Sequence, residues 1–328
     1  MWRYLIWSLR LRRVEYRIAE LPIFLIPMLL TISDASAFEG AAFWEGLLIF
    51  LFLFASGDLL NCLADRELDA IYKPHLTEAV YGIGLRGVAA QAALSAATAV
   101  GLSIHLAWVL DRWLLVPLVL AGVFIAYAYS VEPFRLKRRG LWQLAFYWLG
   151  LFTGPMVFAA FLFDPWPSWS VLAVAVFYGL MQTGVILVNA AEDYPEDREL
   201  GVRTVIVSLG LKRGLSLALL LGLLGGLGLE VTFLGLFLNR QLPLATLVGL
   251  LPLVLTHAVV IYSMRDVARR VQVMNEVDAI AAVKRTARWV PAWITSLAVS
   301  TLLATTVFYR EAPPKTEPLE SVRDHPEI

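Results

Sequence analysis

Two short acidic segments in this sequence share a side-chain pattern suited to metal and phosphate chemistry. The first, NCLADRELD at 61–69, places Asn61, Asp65 and Asp69 at intervals of four residues. Residues four apart lie above one another on one face of an α-helix, so these side chains would form a row of oxygen ligands. The same pattern, NxxxDxxxD, recurs in NAAEDYPED at 189–197. A duplicated row of this kind predicts two halves of one site.

The second row consists of Asn189, Asp193 and Asp197, with Pro195 inside the segment, so we expect its last turn to bend or unwind. Stacked carboxylates repel each other, and more strongly near a medium of low dielectric constant, so a cation must compensate them. Mg²⁺ is a hard ion that takes one or two carboxylates and completes its octahedron with phosphate oxygens. Two such rows therefore predict a Mg²⁺ site that binds a phosphorylated ligand.

Basic side chains would supply the other half of a diphosphate site. The segment YSVEPFRLKRRG at 129–140 contains Arg135 and Lys137, which we expect to contact phosphate. Lys73 follows the last acid of the first row by four residues and is a further candidate to bind phosphate or to neutralise the acids.

Asp58 lies three residues before the first row, on the same helix face and deeper in an apolar segment. A carboxylate inside a membrane is costly and is usually functional. We therefore expect Asp58 either to orient an acceptor or to extend the metal shell, with a simple paired or protonated role as the alternative.

The elements that must position these residues are membrane-spanning helices. The chain has 328 residues, of which 59% are hydrophobic and only 16% charged, too apolar for an ordinary water-soluble domain. A span needs about 20 apolar residues to cross about 30 Å of hydrocarbon. Runs that qualify predict nine helices, at approximately 22–38, 42–60, 83–107, 114–130, 142–163, 168–189, 215–238, 243–263 and 289–309. The first is the weakest, because Ser33, Asp34 and Ser36 make its end polar, and an earlier start among the residues after Arg17 is the alternative. Both acidic segments then fall at the same end of even-numbered spans.

Charge placement predicts the orientation of this bundle. Most of the 27 Lys and Arg residues fall on the side of the N-terminus once nine spans are drawn. By the positive-inside rule we expect a multi-pass protein of the cell inner or plasma membrane, with its N-terminus and its site cytoplasmic and its C-terminus outside. The sequence is interpreted as one transmembrane domain over 1–310, followed by a polar, Pro-bearing tail at 311–328 that we expect to be disordered.

These segments together resemble the UbiA superfamily of intramembrane prenyltransferases. That family carries paired aspartate-rich motifs after its second and sixth helices and a YSxPPxRLKxxG-like loop after its fourth, and DRELGVRT at 197–204 is similar to its DRxxGxxT. The resemblance implies an all-α bundle of nine transmembrane helices around a central cavity. It also implies that Tyr129, Arg135 and Lys137 contact diphosphate, and that Mg²⁺ and diphosphate are held by the two rows, Asn61, Asp65, Asp69, Asn189, Asp193 and Asp197.

The activity that this resemblance implies is transfer of a polyprenyl group from a prenyl diphosphate to a hydrophobic or amphipathic acceptor, aromatic or lipid, within the bilayer. Mg²⁺ is the expected cofactor, the four aspartates are the catalytic candidates, and no nucleic-acid partner is expected. Positive charge would stabilise the departing diphosphate, and an apolar chamber would shield the allylic cation from water. Tyr147, Trp148, Phe152, Phe158 and Phe161 are candidates to line that chamber.

Two other functions stay open at this stage. A terpene cyclase on the same scaffold would quench the cation within its own chain. A secondary transporter would use membrane-embedded acids to carry ions, but that class places them near the membrane midplane, whereas these acids cluster at one interface.

Overall fold

The computed structural model describes residues 2–311, and within that range every regular element is a helix. The helices that precede the second acidic row are α1 (Trp2–Leu11), α2 (Arg17–Thr31), α3 (Ala41–Tyr72), α4 (Pro74–Ile83), α5 (Leu85–Leu110), α6 (Leu115–Ser130), α7 (Leu141–Ala145), α8 (Gly154–Phe163) and α9 (Trp169–Ala190). A π-helical segment, Phe146–Thr153, joins α7 to α8. The remaining helices are α10 (Tyr194–Glu199), α11 (Val205–Leu209), α12 (Leu211–Asn239), α13 (Leu251–Val273), α14 (Glu276–Ala287) and α15 (Val290–Glu311).

Seven of the helical stretches in the described range are long and apolar enough to cross a membrane. They are Ala41–Tyr72, Leu85–Leu110, Leu141–Phe163, Trp169–Ala190, Leu211–Asn239, Leu244–Val273 and Val290–Glu311. Two further predicted spans are shorter helices, α2 with 15 residues and α6 with 16. At 1.5 Å per residue such helices are only about 24 Å long or less, below the hydrocarbon thickness. The all-α membrane fold is confirmed, but the count of nine spans is not confirmed in full.

The N-terminal end of the bundle differs from the expectation in its boundaries. The first apolar helix begins at Arg17, five residues before the predicted start, and ends at Thr31; a 3₁₀ turn over Ala35–Phe38 follows it. The polar residues Ser33 and Asp34 lie in the connection between them, which explains why the helix stops. The predicted C-terminal tail, apart from Glu311, lies outside the described residues.

Two hydrophobic clusters hold the bundle together. The larger extends through most of the helices and includes the fully buried side chains of Phe24, Phe50 and Tyr178. The smaller packs the amphipathic helix α1 and its neighbour α4 against the α3 end that carries the first acidic row, through Leu11, Leu59 and other residues. The N-terminal helix is therefore part of the wall around the acidic end of the bundle.

Helices α9 and α12 approach each other through glycines. A Cβ atom on Gly184 would overlap the backbone nitrogen of Gly222, and one on Gly225 would overlap the backbone nitrogen of Met181. Small residues of this kind let two membrane helices pack at short range through van der Waals contact. Since the second acidic row begins on α9, this contact fixes the position of that row in the bundle.

Gly184→Ala should therefore destabilise the protein, whereas Gly101→Ala should not. Overpacking at Gly184 is expected to cost about 1–3 kcal/mol of unfolding free energy. Gly101 is the matched control, because it is also helical, in α5, and a Cβ atom there meets nothing within 4 Å. Removing that flexible glycine should be neutral or gain up to about 1 kcal/mol. Thermal unfolding in detergent would measure both; equal midpoints for the two variants would contradict close packing of α9 on α12.

Candidate active site at the acidic end of the bundle

The first acidic row lies on one unbroken helix. Helix α3 contains 32 residues, about 48 Å in length at the usual rise, so its last turns extend beyond the hydrocarbon thickness. Asn61, Asp65 and Asp69 share a face of those turns, as predicted, and the Asn61 amide donates to Asp65 Oδ2 at 3.2 Å. Asp69 is buried, and its Oδ2 accepts no hydrogen bond from the residues that the structure describes. The row thus presents oxygen atoms along one helix face, and the buried Asp69 Oδ2 is unpartnered among the described residues.

The second row is divided between two helices, which the sequence predicted only in part. Asn189 is on α9, which ends at Ala190, and the turn that follows carries the chain to Asp193. Asp197 then lies on the short helix α10, with Pro195 in its first turn. The expected bend therefore occurs before Asp193 rather than at Pro195. The reason is that proline is tolerated in the first turn of a helix, where its missing N–H is not needed.

The third segment brings cations to the first row. Lys137 is buried and its Nζ forms an ion pair with Asp65, while Arg135 approaches the same carboxylate at 3.6 Å. Burial lowers the pKa of Lys137, and the Asp65 charge opposes that shift. The Lys73 ammonium, at the end of α3, lies close enough to act electrostatically on both Asp69 and Asp193. The predicted basic residues thus lie among the acids.

A pair of phenols connects the two acidic rows. The Tyr129 hydroxyl donates to the Tyr147 hydroxyl at 3.4 Å, and the Tyr129 ring stacks on Phe146 with centroids 3.7 Å apart. Tyr129 interacts electrostatically with Asp65 on one side. Tyr147 interacts with Asp193 and Asp197 on the other. The two rows therefore converge on one region, although they are more than a hundred residues apart in the chain.

The loop after the second row is packed against the basic segment. Gly140 N donates to the Arg203 carbonyl at 2.6 Å, and Gln143 Oε1 accepts from Val205 N at 2.9 Å. The Thr204 hydroxyl accepts from Val207 N and so caps α11. These contacts place DRELGVRT beside YSVEPFRLKRRG and hold Asp197 near the cations of the third segment.

Both rows open into one apolar cavity of about 470 Å³. The first residue of each row, Asn61 and Asn189, lines it together with Tyr129 and Tyr147. On α3 its lining extends from Asn61 to Phe50, about 16 Å along the helix axis into the bundle. The rest of the wall is largely apolar and includes Phe54, Val119, Ile125, Leu149 and Phe158. A polar mouth and an apolar interior suit an amphipathic ligand with an anionic head and a hydrocarbon chain.

Two of the five aromatic residues proposed for the chamber line this cavity, Tyr147 and Phe158. The other three make different contacts. Trp148 donates from its indole nitrogen to the Val176 carbonyl at 3.1 Å, and Phe152 packs edge-on against Tyr178. Phe161 packs against the main hydrophobic cluster. The π-helical segment rotates this part of the wall relative to a regular α-helix, so α-helical spacing does not identify the lining.

An N-terminal charge cluster, not predicted from the sequence, borders the cavity. Arg17 forms ion pairs with Glu20 and with Asp58, the latter at 2.6 Å, and Arg13 and Asp58 both line the cavity. Arg13 has a φ of 45°, which turns the chain between α1 and α2. The pairing of Asp58 with Arg17 matches the charge-paired alternative, and its place on the wall is compatible with contact to an acceptor.

Burial makes ionisation of Asp193 and Asp197 less favourable than in water. Burial raises the pKa of Asp193, and burial together with the charge of Asp193 raises the pKa of Asp197 to about 7. A bound cation would stabilise the charged forms of such crowded carboxyl groups.

The donor set fits a hard divalent ion. Within residues 2–311 no three carboxylate, histidine or cysteine groups come close enough to hold a metal without other ligands. The oxygens available are carboxylates and amides, the ligands that Mg²⁺ takes, and this ion keeps several positions for water or phosphate oxygens. The two rows, with Asp69 Oδ2 unpartnered among the described residues, therefore present oxygen atoms of the kind that this ion takes.

Comparisons with known proteins agree with this arrangement. The bacteriochlorophyll synthase 33 kDa chain of Rhodobacter capsulatus is 36% identical over 151 residues, which cover 44% of this chain and 47% of that protein. The 2-carboxy-1,4-naphthoquinone phytyltransferase of Synechocystis sp. is 30% identical over 112 residues, 33% of this chain and 35% of that protein. The matched part thus spans less than half the length of either relative.

A solved structure shares the fold. The UbiA homologue from Archaeoglobus fulgidus bound to DMAPP and Mg²⁺ superposes with a TM-score of 0.58 at 15% identity, covering 89% of this chain and 99% of that one. In addition, the profile of the UbiA prenyltransferase family matches residues 21–282, which is most of the chain and includes both acidic rows and the basic segment between them. The chain therefore belongs to the UbiA prenyltransferase family.

Proposed function

We propose that this protein is a Mg²⁺-dependent prenyltransferase that moves a polyprenyl group from a prenyl diphosphate to a hydrophobic acceptor within the membrane. The observation that carries the proposal is the convergence of two acidic rows and a basic segment on the polar mouth of one apolar cavity. Such a mouth holds a diphosphate, and the cavity behind it holds an isoprenoid chain. The relatives named for bacteriochlorophyll and naphthoquinone synthesis and the solved structure with DMAPP and Mg²⁺ support this proposal.

Each group of residues has a proposed role. Asn61, Asp65, Asp69, Asp193 and Asp197 would hold Mg²⁺, with Asn189 and Lys73 beside them at the diphosphate. When bound, Mg²⁺ supplies positive charge to the departing diphosphate. Lys137 and Arg135 would donate hydrogen bonds to diphosphate oxygens. These bonds would stabilise the negative charge that develops on the diphosphate as the allylic carbon–oxygen bond breaks. The Tyr129 hydroxyl would donate a hydrogen bond to the diphosphate from the side of the cavity.

The cavity wall would perform the other part of the reaction. Its apolar and aromatic side chains exclude water, which would otherwise quench the allylic cation, and ring faces stabilise positive charge. Asp58, on the wall beside Arg13, would orient the acceptor. We propose an acceptor with a hydrophobic ring system, in keeping with the relatives named bacteriochlorophyll synthase and 2-carboxy-1,4-naphthoquinone phytyltransferase. By the positive-inside rule, our proposal has the site on the cytoplasmic side of the membrane.

A chelation experiment tests the proposal. Purified protein incubated with geranylgeranyl diphosphate, Mg²⁺ and an extract of candidate acceptors should release diphosphate and form a prenylated product, and excess EDTA should abolish both. Diphosphate release that persists without any acceptor and yields a hydrocarbon would favour a cyclase. Turnover unaffected by EDTA would contradict the metal requirement.

A further inference from the structure

A second cavity, of about 590 Å³, lies outside the site described above. It is enclosed by the end of α13, by α14 and by the start of α15, and we refer to it as the lateral pocket. Its polar and aromatic lining includes Tyr262, Asp266, Arg270, Arg285, Trp289 and Trp293. Its volume is within the range of about 300–1,000 Å³ that is usual for small-molecule sites.

The charge of the lateral pocket is positive. Arg270 and Asp266 neutralise each other through a two-point contact, with Nε–Oδ1 and N–O distances of 2.9 Å. Arg285 has no acidic side chain within 4.0 Å among residues 2–311, so it is the uncompensated cation of this lining. An anion is therefore the favoured occupant.

The aromatic residues place this cation at a membrane interface. Trp289 and Trp293 stand at the start of a membrane-crossing helix, and Tyr262 belongs to the crossing helix beside it. Tryptophan and tyrosine are enriched at the level of lipid headgroups, because one part of the ring is apolar and the other donates a hydrogen bond. The anion that fits this environment is a phosphate that remains attached to the membrane.

An apolar track continues from the lateral pocket along α13. Val259 and Leu255 precede Tyr262 by three and seven residues, so they share its helix face. All three are more than 60% exposed in the protein, as expected of side chains that contact lipid. Acyl chains attached to a phosphate in the lateral pocket would extend along this face.

We propose that the lateral pocket binds the phosphate headgroup of an anionic membrane lipid, with Arg285 as the principal contact and the acyl chains along Tyr262, Val259 and Leu255. The lipid supports the active site indirectly. Lys284, the residue before Arg285, forms an ion pair with Glu196 of α10 at 2.7 Å, and Arg198 of α10 pairs with Glu276 of α14. A lipid that fixes the outer face of α14 thereby fixes the helix that carries Asp197.

Reconstitution of the full chain tests this inference. Wild type, Arg285→Gln and Arg285→Lys would be placed in nanodiscs of phosphatidylcholine alone or with added phosphatidylglycerol. Thermal unfolding and native mass spectrometry of the lipids retained after detergent extraction are the readouts. Phosphatidylglycerol should raise the wild-type midpoint, and Arg285→Gln should abolish that shift and reduce retained phosphatidylglycerol by about fivefold, the effect of one cation at an anionic surface. Arg285→Lys should retain part of it.

Arg269→Gln is the matched control, because it removes the same charge from exposed surface on α13 outside the lateral pocket. It should behave as wild type; a loss equal to that of Arg285→Gln would show diffuse attraction and overturn the proposal. Two other results would overturn it, namely equal retention of phosphatidylcholine and full stabilisation by inorganic phosphate. Neither readout needs prenyl transfer, so failure here is distinguishable from failure of the proposed function.

Discussion

Replacing Asp65 with Asn is expected to lower kcat/KM for the prenyl diphosphate by about 10³-fold or more, because a catalytic metal contributes several kcal/mol to transition-state stabilisation and about 1.4 kcal/mol equals a factor of ten. The same change at Asp193 should have a similar effect. Asparagine keeps the size and one carbonyl oxygen of aspartate but removes the charge that a divalent ion requires. Diphosphate release and metal binding by calorimetry would be measured for each variant.

The double variant provides a sharper result. If both rows hold one metal–diphosphate group, the double variant Asp65→Asn/Asp193→Asn should lose hardly more activity than either single variant. The reason is that loss of one carboxylate from either row already prevents binding of that shared group. Multiplicative losses would show that the rows act separately. Asp111→Asn is the control: Asp111 ends α5 at the far end of the helix from the acids, and its left-handed backbone, with φ of 52°, accommodates asparagine. It should retain wild-type activity.

Replacing Lys137 with Met is expected to lower kcat/KM by about 10²–10³-fold, the usual loss when one donor to a developing negative charge is removed. Methionine keeps the length of the side chain and its contacts in the buried site while removing the ammonium. The loss should appear mainly in kcat if Lys137 stabilises the departing diphosphate, and mainly in KM if it only binds the substrate. Steady-state kinetics with varied prenyl diphosphate would separate the two.

Stability measurements complete this test. Lys137→Met removes the closer of the two cations that pair with the Asp65 carboxylate, so the variant without added metal should unfold at a lower temperature than wild type, and adding Asp65→Asn should restore much of the loss. Lys212→Met is the matched control, because Lys212 is exposed and, among residues 2–311, its ammonium donates only to a backbone carbonyl, that of Gln272. Activity of Lys137→Met close to that of Lys212→Met would contradict the proposed role.

The arrangement of the first acidic row was predictable because it is encoded in a short, local pattern. Asn61, Asp65 and Asp69 share a helix face by spacing alone, and the apolar composition required a helical membrane fold. The ion pair between Lys137 and Asp65 could not be predicted from the sequence. Lys137 was expected to contact phosphate, and no local pattern indicates that it also neutralises an acid of the first row. The same holds for Arg17 and Asp58, 41 residues apart in the chain.

Boundaries were predicted less well where competing local preferences act. Hydropathy extended the first span to residue 38, but Ser33 and Asp34 end helix α2 at Thr31. A continuous apolar run also concealed the π-helical segment Phe146–Thr153, because side-chain hydropathy carries no information about backbone hydrogen-bond spacing. As a result, only Tyr147 and Phe158 of the five proposed aromatic residues were placed correctly on the cavity wall.

The interruption between α9 and α10 makes the two acidic walls mechanically unequal. On α3 the separation of Asn61 from Asp69 is set by continuous backbone hydrogen bonding. The wall that α3 forms is therefore rigid. Across Ala191–Asp193 the backbone hydrogen bonds are those of a turn, such as Glu192 N to the Asn189 carbonyl at 2.9 Å, and α10 is also held by side-chain ion pairs to α14. Adjustment to diphosphate arrival and departure should therefore fall on the second wall, and hydrogen–deuterium exchange in α10 should slow on substrate binding while the end of α3 changes little.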